Sequence, residues 1–63
     1  MQRVVIRLDH PKYNISTYWD GNQFGPLEKA KIYPNCIEAH EEWISIRNTV
    51  NPSGFLCCEV LKD

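Results

Sequence analysis

No stretch of this sequence approaches the roughly 18 consecutive apolar residues of a membrane-spanning helix, and its N-terminus has no basic segment followed by an apolar one. Neither a membrane span nor a signal peptide is expected, and a cytoplasmic location is. Cysteine is scarce: Cys36, Cys57 and Cys58 are an odd number without the spaced pairs of a secreted disulfide framework, which points to free thiols in a reducing compartment. A dominant charge is missing too. The formal net charge of -1 gives no global attraction for nucleic acid or an anionic membrane, so any electrostatic function requires asymmetry between faces. There is no internal repeat, linker, low-complexity segment or catalytic motif.

What is present suffices for one small domain. At 63 residues, the whole chain 1–63 has room for a single core. Only about 60% of the unfolded surface is buried on folding at this size, so a second copy or a partner would add needed stability. Apolar residues at 43% and charged residues at 24% are ordinary for a chain that folds.

Gln2 to Leu8 alternates, with Val4, Ile6 and Leu8 on one face and Arg3, Val5 and Arg7 on the other, the period of a half-buried strand. His10-Pro11 ends it, because proline cannot donate to a ladder. Tyr13 to Trp19 is aromatic and β-branched and runs into Asp20-Gly21-Asn22, a hairpin turn. Gln23 and Phe24 begin a return that Gly25-Pro26 interrupts. Lys29 to Tyr33 then reads as a third strand, with Ala30 and Ile32 inward and Lys29, Lys31 and Tyr33 outward.

Asn35 is a good N-cap, with Glu38 three residues on as in a capping box, and a helix is expected from about Cys36 to Asn48. Cys36, Ala39, Trp43 and Ile46 form its core stripe; Glu38, Glu41, Glu42 and Ser45 form its polar side. Ile37, His40, Ile44 and Arg47 widen the non-acidic arc to about half the circumference, more than packing on a sheet requires. Asn51-Pro52-Ser53-Gly54 stops the helix, and Phe55 to Leu61 makes a final strand. The expected fold is therefore α+β: a three- to four-stranded, mainly antiparallel sheet in the order βββαβ, with one helix packed on one face and the other face uncovered.

The run Phe24-Gly25-Pro26-Leu27-Glu28-Lys29-Ala30-Lys31-Ile32-Tyr33, followed by Glu38-Ala39, resembles a pattern in small phage and bacterial accessory proteins of mostly unassigned function. There an aromatic after a hairpin precedes a leucine, then an A-K-[IV]-[YF] strand and a helix opening with E-A. The resemblance implies the same strand-helix layout and a phage or mobile-element setting, and it brings no catalytic residue with it.

Four chemistries compete for this surface. Cys36 and His40, four apart on the helix, could join Cys57 or Cys58 around zinc, but the paired-ligand spacing of structural zinc sites is absent, and buried Cys36 and Cys58 thiols are the simpler expectation. A cysteine nucleophile with His10 or His40 would leave a chain of this size little room to enclose a substrate. Neither a metal, a cofactor nor a catalytic residue is therefore assigned, and no enzymatic activity is expected. A nucleic-acid or nucleotide module could use Arg3, Arg7, Lys29 and Lys31 with Tyr33 and Phe55 on the uncovered face. The leading expectation is a protein-interaction domain, because that face adds Val5, Cys57 and Leu61, and the hairpin adds Tyr18, Trp19 and Phe24. Trp19 alone could equally fold down over the sheet as core. One version of that interaction is an isologous homodimer; in a phage setting the partner would be a host protein, such as a defence component that this domain modulates or inhibits.

Overall fold

A computed structural model describes residues 2–62. It contains a four-stranded antiparallel sheet and one helix, ordered βββαβ along the chain. The strands are β1 (Val4–His10), β2 (Ile15–Trp19), β3 (Phe24–Gly25) and β4 (Phe55–Val60), arranged in space as β3-β2-β1-β4. The helix α1 (Cys36–Thr49) packs on one sheet face. No other helix or strand among the described residues covers the opposite face.

Short-range chemistry fixes the connections. Between β1 and β2 the Tyr13 amide donates to the His10 carbonyl at 3.0 Å, and Asn14 adopts a positive φ of 53°, which short polar side chains tolerate. The strand starts at Ile15 rather than Tyr13 because these residues are used by the turn. After β2 the Asp20 carboxylate accepts the Asn22 and Gln23 amides at 2.7 and 2.8 Å, which holds its pKa below the usual carboxylate value. Asn35 caps α1, its Oδ1 accepting the Glu38 amide at 2.9 Å, while Glu38 takes a bond from the Asn35 side-chain amide instead of the cap's backbone. Asn51, at φ 48°, closes the other end as its amide donates to the Ile46 carbonyl.

The third strand departs from the sequence expectation. Leu27–Lys29 forms a single 3-10 turn, and β3 is only Phe24–Gly25. The chain then returns to continue the lane that β2 leaves: the Lys31 amide donates to the Trp19 carbonyl at 2.9 Å, and Tyr33 exchanges two backbone hydrogen bonds with Val4 at 3.0 and 2.8 Å. Residues directly opposite in an antiparallel pair share a face, so Tyr33 must point where Val4 points, toward the helix. The inward and outward assignments are thus reversed: Tyr33 is 5% exposed and Ile32 is 44% exposed. Trp19 is also buried, because it lies on the same side of the sheet as Leu8 and Thr17 and packs edge-to-face on Phe24 at 5.0 Å.

The core beneath the helix is Val4, Ile6, Trp19, Tyr33, Ala39 and Ile46, flanked by Phe24, Trp43 and Leu56. Val5 belongs to the opposite face yet is fully buried, a short side chain in the central strand opposite Glu59. Cys36 and Cys58, expected to be buried, are both exposed. The first turn of α1 and the outer strand β4 lie at the margin of the layer, where the helix does not cover the sheet completely.

Within this core the Tyr33 hydroxyl has no hydrogen-bond partner among the described residues. Burial pushes its pKa up to about 12, helped by Glu42 and Cys58. The fold thus favours the neutral phenol: that contribution is complete below the unfolded pKa near 10 and is lost as pH rises through about 12. Tyr33→Phe removes the unsatisfied hydroxyl and should raise stability by about 1 kcal/mol. Urea unfolding at neutral pH would register this as a higher midpoint; a lower one would mean the hydroxyl has a partner worth keeping.

Candidate protein-binding surface

The register fixes what the open face displays. Arg7 stands opposite Tyr18 on β2 and Cys57 on β4; Asp9 stands opposite Ser16 and Phe55; Val5 stands opposite Glu59. Alternation along β1, β2 and β4 puts all these side chains on the side away from α1, and Leu61 continues it beyond β4. Of the residues proposed from sequence, Arg7, Tyr18, Phe55 and Leu61 are therefore brought together on one accessible face. Arg3 precedes β1 on the same side and is exposed.

The others are not brought there. Val5, Trp19 and Tyr33 are buried, the last two beneath the helix. Lys29 ends the 3-10 turn, and Lys31 lies in the returning segment with its ammonium 5.1 Å from the centre of the Tyr33 ring. A basic-aromatic sheet face built from Arg3, Arg7, Lys29, Lys31, Tyr33 and Phe55 does not assemble, because the segment carrying three of them is not the outward-facing strand that alternation suggested.

The centre of the open face is a closed ion-pair network. Arg7 meets Asp9 through Nε and Nη2 at 3.0 and 3.2 Å and Glu59 through Nη1 at 3.2 Å. The Ser16 hydroxyl donates to the Asp9 carboxylate at 2.7 Å and is the main reason that carboxylate titrates below its usual value, with Arg7 adding to the effect. Burial alone would lower the Arg7 pKa, but Cys57, Asp9 and Glu59 outweigh it and raise it. One guanidinium with two carboxylates leaves this cluster with a net negative charge, which does not attract phosphate.

Large apolar side chains lie at the end of this face. Phe55 is 68% and Tyr13 is 67% exposed, and both line a depression of about 460 Å³ between the β1–β2 turn and the α1–β4 connection, together with His10, Pro11, Lys12, Ser53 and Gly54. Phe55 also borders a second depression of about 440 Å³ floored by Arg7, Asp9 and Ser16. Lys12 holds its ammonium 5.8 Å from the Tyr13 ring centre. Sequence reading found Phe55 but gave Tyr13, Asp9 and Glu59 no role at the surface. The aromatic at Tyr13, next to Pro11-Lys12 in a turn, was the available signal; the carboxylates' role needed the cross-strand register.

Cys36, His40 and Cys58 border a third depression, beside the outer strand. Among the described residues no three His, Cys, Asp or Glu side chains form a group that could hold a metal ion. Partial desolvation, with Cys36 and Cys57 nearby, pushes the pKa of the exposed Cys58 thiol up, the opposite of an activated thiol. No helix among the described residues is long and apolar enough to cross a membrane. No family model, curated protein or solved structure matches this chain.

Proposed function

We propose that this domain is a non-enzymatic, cytoplasmic protein-interaction module that engages its partner through the open sheet face, with Phe55 and Tyr13 as anchors and the Arg7, Asp9 and Glu59 cluster as the polar centre. The observation that carries this reading is the pairing of two largely exposed aromatic rings around one depression. Exposed aromatics next to organised charge are the composition of interface hot spots. The raised Cys58 pKa counts against that thiol as a nucleophile, which requires the reverse. Given the sequence pattern, the partner we favour is a host protein, such as a defence component, that a phage-encoded domain would modulate or inhibit.

The alternative, a nucleic-acid or nucleotide module, is weakened because Arg7 is already paired and Lys29 and Lys31 lie away from the sheet face. Capture from host lysate with the wild-type chain and with a Tyr13→Ala, Phe55→Ala double variant tests the two readings. We expect a protein retained by the wild type and lost by the double variant, each truncation costing about 1–3 kcal/mol of binding. Retention of nucleic acid instead, weakening steeply with salt and with Arg7→Glu, would replace this reading with the alternative.

A further inference from the structure

We propose that the free edge of β4 pairs antiparallel with the same edge of a second copy of this chain, centred on Cys58, joining two four-stranded sheets into one. The backbone geometry specifies both the edge and the register. Val4 exchanges its hydrogen bonds with Tyr33 on the β2 side, whereas the Arg3 carbonyl accepts the Leu61 amide at 2.7 Å on the β4 side. Successive residues of a strand direct their amide and carbonyl to opposite sides, so the odd-numbered residues of β4 bond back to β1. Leu56, Cys58 and Val60 therefore direct theirs out of the sheet. The Leu56 carbonyl accepts the Trp43 indole N–H at 2.8 Å and retains a second lone pair.

Three outward residues spaced by two form a self-complementary set. With Cys58 opposite the partner's Cys58, Leu56 falls opposite the partner's Val60, and all the outward groups are used. On the open face this register sets Phe55 against the partner's Leu61 and Glu59 against the partner's Cys57. Sliding by two residues one way sets Glu59 against the partner's Glu59, a like-charge pair that cross-strand geometry penalises. Sliding the other way leaves Val60 beyond the paired segment. Charge and hydrogen bonding thus select the same register.

The two edges of the sheet are unequally defended. β3 is two residues long and followed by Pro26, the usual protection of an edge, whereas β4 has six residues, no proline and one charge. The helix points to the same partner. Cys36, Ile37, His40 and Glu41 line a mainly apolar depression of about 390 Å³ with Cys58, and Ile37 is 73% exposed. Because the proposed two-fold axis passes beside Cys58, the two depressions meet. Since α1 contacts both β1 and β4, the two helices would lie on the same face of the joined sheet, one on each side of the new seam. The contact is isologous and closes on itself.

This proposal goes beyond the partner-binding reading and is tested on the purified chain, so either can fail without the other. Sedimentation equilibrium should return twice the 7.4 kDa mass of the chain. Cys58→Pro deletes an amide that the chain's own sheet does not use and should return the single-chain mass; Val60→Lys, at an exposed position, should do the same and decides the matter if the proline variant fails to fold. Opposed residues of a hydrogen-bonded pair lie about 5.5 Å apart at Cα, within disulfide reach. Mild copper-catalysed oxidation should therefore convert a variant retaining only Cys58 to a covalent dimer much faster than variants retaining only Cys57 or only Cys36. A monomeric wild type, or equal cross-linking of all three variants, would overturn the proposal.

Discussion

Gly54→Ala is expected to remove most of the stability of this domain. Gly54 has φ 117°, a conformation that a side chain rarely adopts, and a Cβ placed there would run into the Asp9 carbonyl oxygen. Backbone is the obstacle, so no rotamer change relieves it. Positive-φ strain costs about 1–3 kcal/mol, and with the added collision we expect about 3–5 kcal/mol. A chain of this length has only about 3–9 kcal/mol in total. Gly25→Ala is the control, since a Cβ there meets nothing within 4 Å and should change stability by less than about 0.5 kcal/mol. Urea unfolding of the two variants separates them: a midpoint for Gly54→Ala close to that of the wild type would show that the turn between α1 and β4 is not held as described. The same contact sets the start of β4 against the end of β1, where Phe55 faces Asp9. A partly folded Gly54 variant should accordingly lose the proposed partner binding as well.

Ile6→Ala should cost about 2–5 kcal/mol, the range for truncating a fully buried aliphatic side chain that leaves a cavity behind. Ile6 has no accessible surface and lies in the central strand beneath the helix. Ile32→Ala is the informative comparison. Alternation read from the sequence makes Ile32 a core residue equal to Ile6, whereas the structure leaves it 44% exposed, so its loss should cost less than about 1 kcal/mol. Equal destabilisation by the two substitutions, measured by thermal or urea unfolding, would restore the third strand to its sequence-based orientation.

Strand and helix were legible where a local pattern had no competitor. Val4, Ile6 and Leu8 alternate cleanly, and β1 buries all three on the helix side of the sheet. Asn35 and Asn51 bracket α1 because capping is chemistry between neighbouring residues. The reversed facing of the third strand and the missing basic patch share one cause. Lys29 to Tyr33 also alternates, but its facing was decided by where Tyr33 meets Val4, a contact spanning much of the chain. The same holds for the candidate surface: Phe55 could be picked out as an aromatic on a strand, but the neutralisation of Arg7 by Asp9 and Glu59 depends on registers between three strands.

The sequence by itself determined the class of fold, the order of its elements, the helix and its caps, and the turns at Pro11, Gly21 and Gly54, because each follows from periodicity or from the conformational limits of a few adjacent residues. Only the tertiary structure decided which side of the sheet Tyr33 and Trp19 occupy, which cations remain available, and that β4 is an outer strand with an open edge. Those outcomes depend on which distant residue lies opposite. A strand carries the same alternation in either facing until its partner fixes the register.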